Sequence, residues 1–600
     1  MEFPQSTQRT LKTAVAGKPG MFRLLGIMAA MVLVTACGPQ AEAPAPAPVP
    51  PPVTPEFADL VFVNGGIYTA DESHAWAEAA AVRGGAIVAV GVNDDVKALT
   101  GPDTRVVDLS GKMLLPGFHD AHVHPGMGGM ALLGCDLDGI ASVEAIVAKI
   151  AECAKGGEGW IHGYAFDLAL FGQDGPNRRV LDAVTGDRPA FLESSDGHNA
   201  WVNSKALELA GVTADTPAPK NGVIEHDPDG SPSGTLRESA MALVTDRMPP
   251  PTPEDNVDAL LAGIRHLNSF GITSFIDAAV GEDDYVAYHS IDEAGQLTAR
   301  VVTSLTWGPA YAKHSGEDFE RVLADRHQYE SERLRNSSIK IFLDGVLEGE
   351  TAALVEPYLG EGDYRGDLIV APDALNEAVT RFDAMGLQVH MHAIGDRAVR
   401  EGLDAIEAAR NANGDLDNRH HIAHLQLIHI DDIDRFAKLD ASANFQALWA
   451  YPDDWILKLN LPVLGEERVQ GMYPIGSVHR SGGRIVGGSD WNVSSANPLD
   501  AIETAVRRQD PMAADGPVLN EKERVSLETM IDAYTINAAW LMHQEDRVGS
   551  IEPGKRADIV VLDRDLFAIP ETEINEARVV MTLLDGKTIW PADAGSGGND

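Results

Sequence analysis

Cysteine, basic side chains and long apolar runs are all scarce in this 600-residue sequence. Three cysteines exclude a fold held together by a disulfide framework. The 47 lysines and arginines are outnumbered by 90 aspartates and glutamates, and the net charge of −43 argues against nucleic-acid binding and charge-driven docking on anionic lipid. The apolar run Leu24–Thr35 has 12 residues, about 18 Å as a helix and too short to cross a membrane. With 44% apolar residues, the chain can still bury a large core.

The first 57 residues have the composition of a targeting segment and a tether. Arg23 precedes the apolar run, which ends in Val34-Thr35-Ala36-Cys37 and resembles the lipobox of bacterial lipoproteins. We expect residues 1–37 to be a signal peptide with lipid on Cys37, and a plain secretory signal is the alternative. Residues 38–57 are rich in proline and alanine, which favours an extended linker. The segment predicts a lipid-anchored protein of the bacterial cell envelope, facing the periplasm or the cell surface, with no other membrane contact.

The rest of the chain predicts an α/β fold. Short strand patterns at 58–114 and 545–592 are too few for two sandwiches and predict one composite β-sandwich from both chain ends. Over 115–544, strand-like runs alternate with helical patterns, which predicts a (β/α)8 TIM barrel. The gap after the first run is too long for a loop and predicts an inserted subdomain at 126–250, and 593–600 have the composition of a flexible tail. The predicted barrel strands are Met113–Phe118, Ile272–Ala278, Arg300–Thr306, Ser338–Leu343, Leu387–His392, His420–Leu427, Ser442–Ala447 and Arg484–Gly488.

Side chains that can bind a metal follow these strands in order. His122 and His124 alternate by two, so both point to one side of a strand and can hold a divalent ion. Lys340 lies within the apolar fourth strand, where a lysine must find a partner or lose its charge. Because barrel strands end at one mouth, we expect a shared site there. The fifth, sixth and eighth strands end in or lead to His392, His424 and Asp490.

For several residues the pattern leaves alternatives open. The two histidines of the first strand fit one core and one surface residue, and Lys340 fits a buried ion pair with Asp344. Asp120 either orients a ligand imidazole or lies in a surface turn. His390 points away from a ligand position on a regular strand, which indicates a structural or supporting role. Cys135 and Cys153 either pair or remain two buried thiols.

These motifs resemble the metal-dependent amidohydrolase superfamily, and within it amidohydrolase family 3, the YtcJ-like enzymes. The resemblance covers about 58–592 and includes Lys340-Ile-Phe-Leu-Asp-Gly, His392-Ala-Ile-Gly-Asp and Gly488-Ser-Asp-Trp. It implies one or two divalent ions, with zinc favoured, and either an N6-carboxylated Lys340 that bridges two ions or an unmodified lysine beside one. The implied metal-binding residues are His122, His124, Lys340, His392, His424 and Asp490.

The same resemblance implies a hydrolase acting on carbon–nitrogen bonds other than peptide bonds. A metal-activated hydroxide would attack an N-acyl, formamide, cyclic amide or similar bond of a small molecule, with Asp490 as the catalytic general base. An esterase or lactonase on the same centre is one alternative, and a non-catalytic ligand-binding envelope lipoprotein is the alternative of another class. His198, Asp344 and Trp491 are the expected substrate contacts. A homo-oligomer is compatible with the sequence.

Overall fold

The computed structural model describes residues 56–71, 73, 75–156 and 159–591. The predicted signal peptide with Cys37, residues 38–55 of the predicted linker and the predicted tail lie outside the described residues. The described chain begins with seven short strands. They are β1 (Leu60–Val63), β2 (Gly66–Tyr68), β3 (Trp76–Ala77), β4 (Ala79–Arg83), β5 (Ala86–Gly91), β6 (Arg105–Asp108) and β7 (Met113–Pro116). Four of them form a sheet in the order β5-β4-β1-β6.

The chain passes from these strands into the barrel at Gly117. The first barrel strand is β8 (Phe118–Val123), whereas β7 pairs with β2 outside the barrel, so the prediction of Met113–Phe118 as the first barrel strand is wrong. The apolar Met-Leu-Leu-Pro run belongs to β7, and the polar side chains of β8 concealed its strand pattern. Gly117 permits the tight passage, because a Cβ there would lie 2.3 Å from Oγ1 of Thr273.

A separate sheet lies between the first and second barrel strands. Its six strands are ordered β13-β14-β12-β11-β10-β9 and bury a core of their own around Phe166 and Trp201. Cys135 and Cys153 form a disulfide bond with a Cα–Cα distance of 5.9 Å, which links the first of these strands to the following helix. The strands are β9 (Cys135–Asp136), β10 (Ile161–Phe166), β11 (Ala190–Ser194), β12 (Asn199–Val202), β13 (Gly222–His226) and β14 (Pro232–Glu238).

The remaining barrel strands are β15 (Ile272–Val280), β16 (Arg300–Thr306), β17 (Leu334–Phe342), β18 (Gln388–Ala393), β19 (His421–His424), β20 (Ser442–Phe445) and β21 (Ile485–Gly487). With β8 they form an eight-stranded sheet in sequence order, and each neighbouring pair of strands is parallel. The two ends of the sheet meet through side-chain and backbone bonds: Asn444 Nδ2 donates to the Ala121 carbonyl at 2.8 Å, and the Asp490 amide donates to the His122 carbonyl at 2.7 Å. The predicted (β/α)8 barrel is confirmed.

The end of the chain completes the sandwich. Strands β22 (Ile559–Leu562), β23 (Val579–Leu584) and β24 (Lys587–Trp590) join the early strands in a second sheet, ordered β24-β23-β22-β7-β2-β3. Side chains of both sheets, among them Phe62 and Ile559, share one buried core. The composite β-sandwich from both chain ends is therefore present.

Buried ion pairs join the sandwich to the lower end of the barrel. Arg300 begins β16 and binds Asp558 at 2.7 Å and Asp585 at 2.6 Å. Arg333, just before β17, also binds Asp585 at 2.6 Å, and Arg556 forms a further pair with it. We call these five residues the floor cluster.

Helices surround the barrel and the inserted sheet. In the part of the chain that the structure describes, none is long and apolar enough to cross a membrane. The α-helices are Asn93–Lys97, Pro125–Leu133, Val143–Cys153, Arg178–Thr185, Ser204–Ala210, Ala242–Thr245, Pro253–Ser269, Glu282–Glu293, Gly316–Asp325, Pro372–Ala384, Asp396–Asn413, Ile433–Lys438, Leu461–Leu464, Glu466–Val469, Ile475–Arg480, Pro498–Arg507, Leu527–Ala533 and Ile536–Leu541.

Candidate metal centre

Two histidines and a carboxylate meet at the upper end of the barrel. Nε2 of His122, in β8, lies 3.3 Å from Oδ1 of Asp490, and Nε2 of His124 lies 3.0 Å from the same oxygen. Asp490 follows β21 and has a φ of +55°, and its amide bond to the His122 carbonyl holds it against the first strand. One potential ligand atom from each residue falls within 4.8 Å of the others, close enough to hold one metal ion.

Lys340 points into the same site from β17. It is 1% exposed, and its Nζ lies 3.4 Å from Nε2 of His122. Its ammonium group has no ion-pair partner among the described residues, so the predicted pair with Asp344 is absent. Burial lowers the pKa of Lys340 to about 7, against the opposing charge of Asp490. Burial therefore favours the uncharged form of this lysine.

His392 and His424 complete the ring of donors. They lie in β18 and at the end of β19 with ring centroids 4.4 Å apart, and the ring of His424 is 4.7 Å from that of His122. Nε2 of His392 is 3.2 Å from the Gly345 carbonyl, which accepts its proton and leaves Nδ1 as a lone-pair donor. Nδ1 of His424 lies 3.7 Å from Oδ2 of Asp490. The structure thus brings all six predicted metal-binding residues together.

The unsatisfied atoms of this ring fit a divalent metal. His424 Nδ1 is buried and has no hydrogen-bond partner among the described residues, although such atoms are usually satisfied. Asp490 Oδ1 is also buried and lies within 3.3 Å of two imidazole nitrogens without the alignment of a hydrogen bond. Imidazole nitrogens and a carboxylate oxygen are the donors that zinc and similar ions accept. Burial raises the pKa of Asp490, but His122 and His124 outweigh it and hold the pKa well below its usual range. The carboxylate is therefore ionised and ready to bind a cation.

His390 orients one of these donors. Its Nε2 lies 2.8 Å from Nδ1 of His122, and its Nδ1 lies 3.2 Å from Oγ of Ser304. For His122 to present an Nε2 lone pair to a metal, its Nδ1 must carry the proton and donate to His390. His390 then carries its own proton on Nδ1, which donates to Ser304. The strand pattern indicated a supporting role for His390, and the structure shows its geometry as a hydrogen bond to His122.

The carboxylate of Asp120 accepts hydrogen bonds from backbone amides and not from an imidazole. It is fully buried, and Oδ1 accepts from the amides of His122 at 3.1 Å and of Ser489 at 3.0 Å. It thereby joins the strand that carries His122 to the loop that carries Asp490. Both alternatives drawn from the sequence, an imidazole partner and a surface turn, are wrong.

The metal-binding residues form the base of a cavity of about 540 Å3. Barrel loops and the inserted sheet both contribute to its walls, and aromatic side chains cover much of them. They are Tyr311, Phe342, Trp449, Tyr451, Trp455 and Tyr473. A cavity of this size, mainly apolar with a few polar groups at one end, is suited to a small organic molecule.

His198 enters the cavity from the inserted sheet. Its Nδ1 lies 2.9 Å from Oε2 of Glu238, and its ring centroid is 5.7 Å from that of His392. The hydroxyl of Tyr311 donates to the same glutamate, and Thr351 donates to its other oxygen at 2.8 Å. Burial lowers the pKa of His198, but Glu238 outweighs it and raises the pKa to about 9. A charged His198 thus lines the cavity beside His392, and its role as a substrate contact stays a prediction.

Asp344 and Trp491 do not line the cavity, so the structure does not bring either of them to the position expected of a substrate contact. Asp344 is fully buried, and its oxygens accept from three backbone amides at 2.9 to 3.0 Å, which fixes the loops after β17 and β18. The ring of Trp491 turns away from the cavity and stacks on His266 at 4.5 Å. Gly128 allows this packing, because a Cβ there would lie 2.4 Å from the indole.

The pattern analysis did not identify Glu238 or Tyr311. Glu238 ends β14 of the inserted sheet, Tyr311 follows β16, and 73 residues separate them. Neither lies in a motif with metal-binding spacing, and only the folded insert brings them to His198.

Comparisons with known proteins agree with this geometry. A sequence profile described as the amidohydrolase family matches residues 105–590. The chain is 30% identical over 545 residues to Protein LONG AFTER FAR-RED 3 of Arabidopsis thaliana, covering 89% of this chain and 92% of that protein. It is 30% identical over 544 residues to N-substituted formamide deformylase of Arthrobacter pascens, covering 88% and 98%. A solved structure of an uncharacterized metal-dependent hydrolase from Pyrococcus furiosus superposes with a TM-score of 0.65 at 28% identity, covering 84% of this chain and 99% of that one.

Proposed function

Since the chain belongs to the amidohydrolase family and is a metal-dependent hydrolase of C–N bonds, we propose that it cleaves an amide-type bond of a small molecule with Asp490 as the general base. The observation that carries the proposal is the position of Asp490, within 3.3 Å of two histidine nitrogens and beside Lys340 and His424. The name of the Arthrobacter relative makes N-substituted formamides the first substrates to test.

The proposed metal site is formed by His122, His124, Lys340, His392, His424 and Asp490. A divalent metal bound there lowers the pKa of water toward ~7 and polarises a carbonyl oxygen. The low pKa of Asp490 keeps it ionised, so it can accept a proton from the attacking water and pass it to the leaving nitrogen. The nitrogen-rich donor set favours zinc.

Lys340 is proposed to be N6-carboxylated. Its neutral Nζ would form a bond to the carbon of CO2 and release one proton, which yields an anionic carbamate. Burial favours the neutral amine, which is the form that reacts with CO2. Because no counter-charge is present, the unmodified ammonium group is disfavoured. A carbamate signal in 13C NMR after loading with labelled bicarbonate tests this, with Lys340→Ala as the blank. No signal together with one metal per chain favours an unmodified lysine and a single ion.

His198 is proposed to bind the carbonyl oxygen of the substrate. Glu238 occupies its Nδ1, which leaves Nε2–H for the cavity, and the ring lies close to His392. Tyr311 and Thr351 fix Glu238 and so fix the imidazole. Such a preorganised donor gains strength where the carbonyl oxygen becomes negative.

Replacing Asp490 by asparagine tests the proposed function. We expect Asp490→Asn to lower kcat on N-formyl amines by about 10^3-fold, since general acid–base catalysis typically contributes 10^2 to 10^4, while most of the metal stays bound. Asp454→Asn, a surface change of equal charge, is the matched control. Turnover by Asp490→Asn within tenfold of the wild type would refute the base role.

Ester or lactone hydrolysis on the same centre is the second candidate, because the same groups can attack any acyl carbonyl. A panel of N-formyl amines, N-acyl amines and cyclic amides against aryl esters and lactones separates the two by kcat/KM. A binding role without catalysis does not fit a hydrolase family whose metal-binding residues are all present. Higher kcat/KM on the esters would replace the amide assignment.

A lipid-anchored location in the bacterial envelope is also proposed. It rests on the lipobox-like Val34-Thr35-Ala36-Cys37 and is supported by the disulfide between Cys135 and Cys153, which persists in oxidising compartments. Mass spectrometry of the mature N-terminus tests it. An unlipidated Cys37 in protein from the native cell would refute the anchor.

A further inference from the structure

One wall of the cavity carries carboxylates that no cation neutralises. Six carboxylates line the cavity but only two lysines do, and Lys313 pairs with Asp284 at 2.8 Å while Lys340 faces the metal site. Glu348 and Asp453 form no ion pair with any described residue. Carboxylates in a partly buried wall are costly unless they take up a proton or a positive group comes to them.

The helical segment Trp455–Asn460 connects these two carboxylates: Oδ1 of Asp453 accepts from the Ile456 amide at 2.8 Å at its start, and Nδ2 of Asn460 at its end donates to Oε1 of Glu348 at 3.0 Å. Glu348 is within the electrostatic influence of His198, whose charge lowers its pKa against the larger effect of burial. Burial and the charge of Glu348 raise the pKa of Asp453 to about 7.

Buried amide side chains in the same wall also lack donors. Asn460 is 1% exposed and donates from Nδ2 to Oε1 of Glu348 at 3.0 Å, so its Oδ1 is the atom without a partner. Gln426, 5% exposed, likewise has an unpartnered Oε1. Both residues line the cavity. The unpartnered atoms of this wall are hydrogen-bond acceptors, and a ligand with several N–H donors would satisfy them.

Aromatic rings complete the wall. Trp455 lies two residues after Asp453, and Tyr451, two residues before Asp453, also lines the cavity. An aromatic face attracts an organic cation and also packs against an apolar group that links it to the rest of a ligand. A hydrated metal ion would gain little from such rings, so the combination favours an organic cation.

We propose that Glu348, Asp453, Asn460 and Trp455, here called the acidic wall, bind a cationic group of the substrate, a primary ammonium or an amidinium. The substrate class is then an amide with a positively charged group at the end remote from the scissile bond. This inference rests on the proposed amide hydrolysis for the identity of the scissile bond, but binding of the cation is independent of turnover.

Binding of two simple probes to the zinc-loaded full chain tests the acidic wall directly. By isothermal titration calorimetry, we expect phenethylammonium to bind about tenfold or more tightly than phenethyl alcohol, the change that one charge-assisted hydrogen bond supplies. In Glu348→Gln and in Asp453→Asn this preference should fall about tenfold. Zinc content equal to that of the wild type shows that each variant is folded.

Asp454→Asn is the matched control, because Asp454 is exposed, adjacent in sequence and paired with Lys458 at the surface. It removes the same charge and should keep the preference for phenethylammonium. Equal binding of the two probes by the wild type would overturn the proposal. So would a preference that both wall variants retain.

A pair of substrates separates this proposal from the proposed function. N-formyl-4-(aminomethyl)benzylamine carries the remote ammonium, and N-formyl-4-methylbenzylamine is its neutral counterpart. A higher kcat/KM for the charged formamide, lost in Glu348→Gln, supports both proposals. Hydrolysis of both formamides at equal kcat/KM overturns the acidic wall and leaves the function. Tight phenethylammonium binding without hydrolysis of any amide refutes the function and upholds the wall.

Discussion

The two ends of the barrel both bury charge, but they balance it differently. At the lower end, the carboxylate of Asp585 accepts from the guanidinium groups of Arg300, Arg333 and Arg556. At the upper end, Asp490 faces histidines, and the nearby ammonium of Lys340 has no ion-pair partner among the described residues. Atoms without hydrogen-bond partners are found at Asp490 and His424.

The difference lies in whether the charged groups find partners of opposite charge within the protein. Planar guanidinium groups match carboxylates with charge and geometry. Every arginine and aspartate of the floor cluster therefore has an ion-pair partner, although Nη1 of Arg300 makes no hydrogen bond, and the cluster connects barrel to sandwich. At the upper end, imidazole lone pairs and a carboxylate lie close together, and an added cation would balance them. Buried charge at the floor therefore serves stability, whereas we propose that buried charge at the mouth serves metal binding and catalysis.

Replacing a mouth histidine should have the largest effect on activity. His122→Ala removes a metal donor, and we expect activity to fall about 10^3-fold or more because the metal supplies the activated water. Metal content by mass spectrometry should fall with it. His429→Ala, at a partly exposed histidine outside the cavity, should change neither quantity. A His122→Ala enzyme with full metal content and activity would contradict the assignment.

Replacing a floor carboxylate should act on stability instead. Asp585→Asn leaves three buried or half-buried arginines without their shared carboxylate, and we expect a loss of about 3–5 kcal/mol in the free energy of unfolding. Denaturant unfolding followed by tryptophan fluorescence measures it, with exposed Asp431→Asn as control. The metal-to-protein ratio should stay unchanged. Loss of metal without loss of stability would reverse the roles of the two ends.

Replacing His390, which lies behind the metal-binding residues, should have an intermediate effect, seen in the metal affinity. His390→Leu removes the acceptor that orients His122, and loss of such a partner typically costs 10 to 100-fold in metal affinity. His390→Gln places an oxygen near the former Nε2 and should recover part of that affinity. Zinc titration against a competing chelator compares the variants. Equal affinity in His390→Leu and the wild type would show that the hydrogen bond does not support the site.

The barrel strands and the ring of donors follow from the sequence, because parallel strands in sequence order must end at one mouth. That rule places His392, His424 and Asp490 without knowledge of the loops. It fails where side-chain direction depends on a loop, as at Trp491, which packs on His266 beneath the mouth. It also fails at β8, whose polar residues conceal a strand that belongs in the barrel.

The cavity wall could not be predicted from local patterns. Glu238, Tyr311 and Thr351 surround His198 through contacts across 40 to 113 residues of sequence. Such contacts depend on how the inserted sheet packs on the barrel, and no spacing rule reports that packing. The supporting carboxylates Asp120 and Asp344 hold backbone amides, a role that motif spacing does not reveal.

Acid should weaken the ion pairs of the floor cluster. The resulting loss of stability should be smallest near neutral pH. Burial raises the pKa of Asp585, but hydrogen bonds from Arg556 and Arg300 outweigh it and hold the pKa well below its usual range. Because the folded pKa is lower than the unfolded value of about 3.9, the stabilisation is present above about pH 4 and is lost as pH falls below it. The thermal midpoint should fall less steeply with acid in Asp585→Asn. Parallel curves for variant and wild type would contradict this.

Anomalous diffraction at the zinc edge, from crystals of the active full chain, tests most directly whether the mouth is completed by a metal. The account predicts a peak within about 2.0–2.3 Å of donor atoms from His122, His124 and Asp490, with Lys340, His392 and His424 on the same or a second ion. An enzyme that hydrolyses its substrate at full rate with no divalent metal between these residues would contradict it.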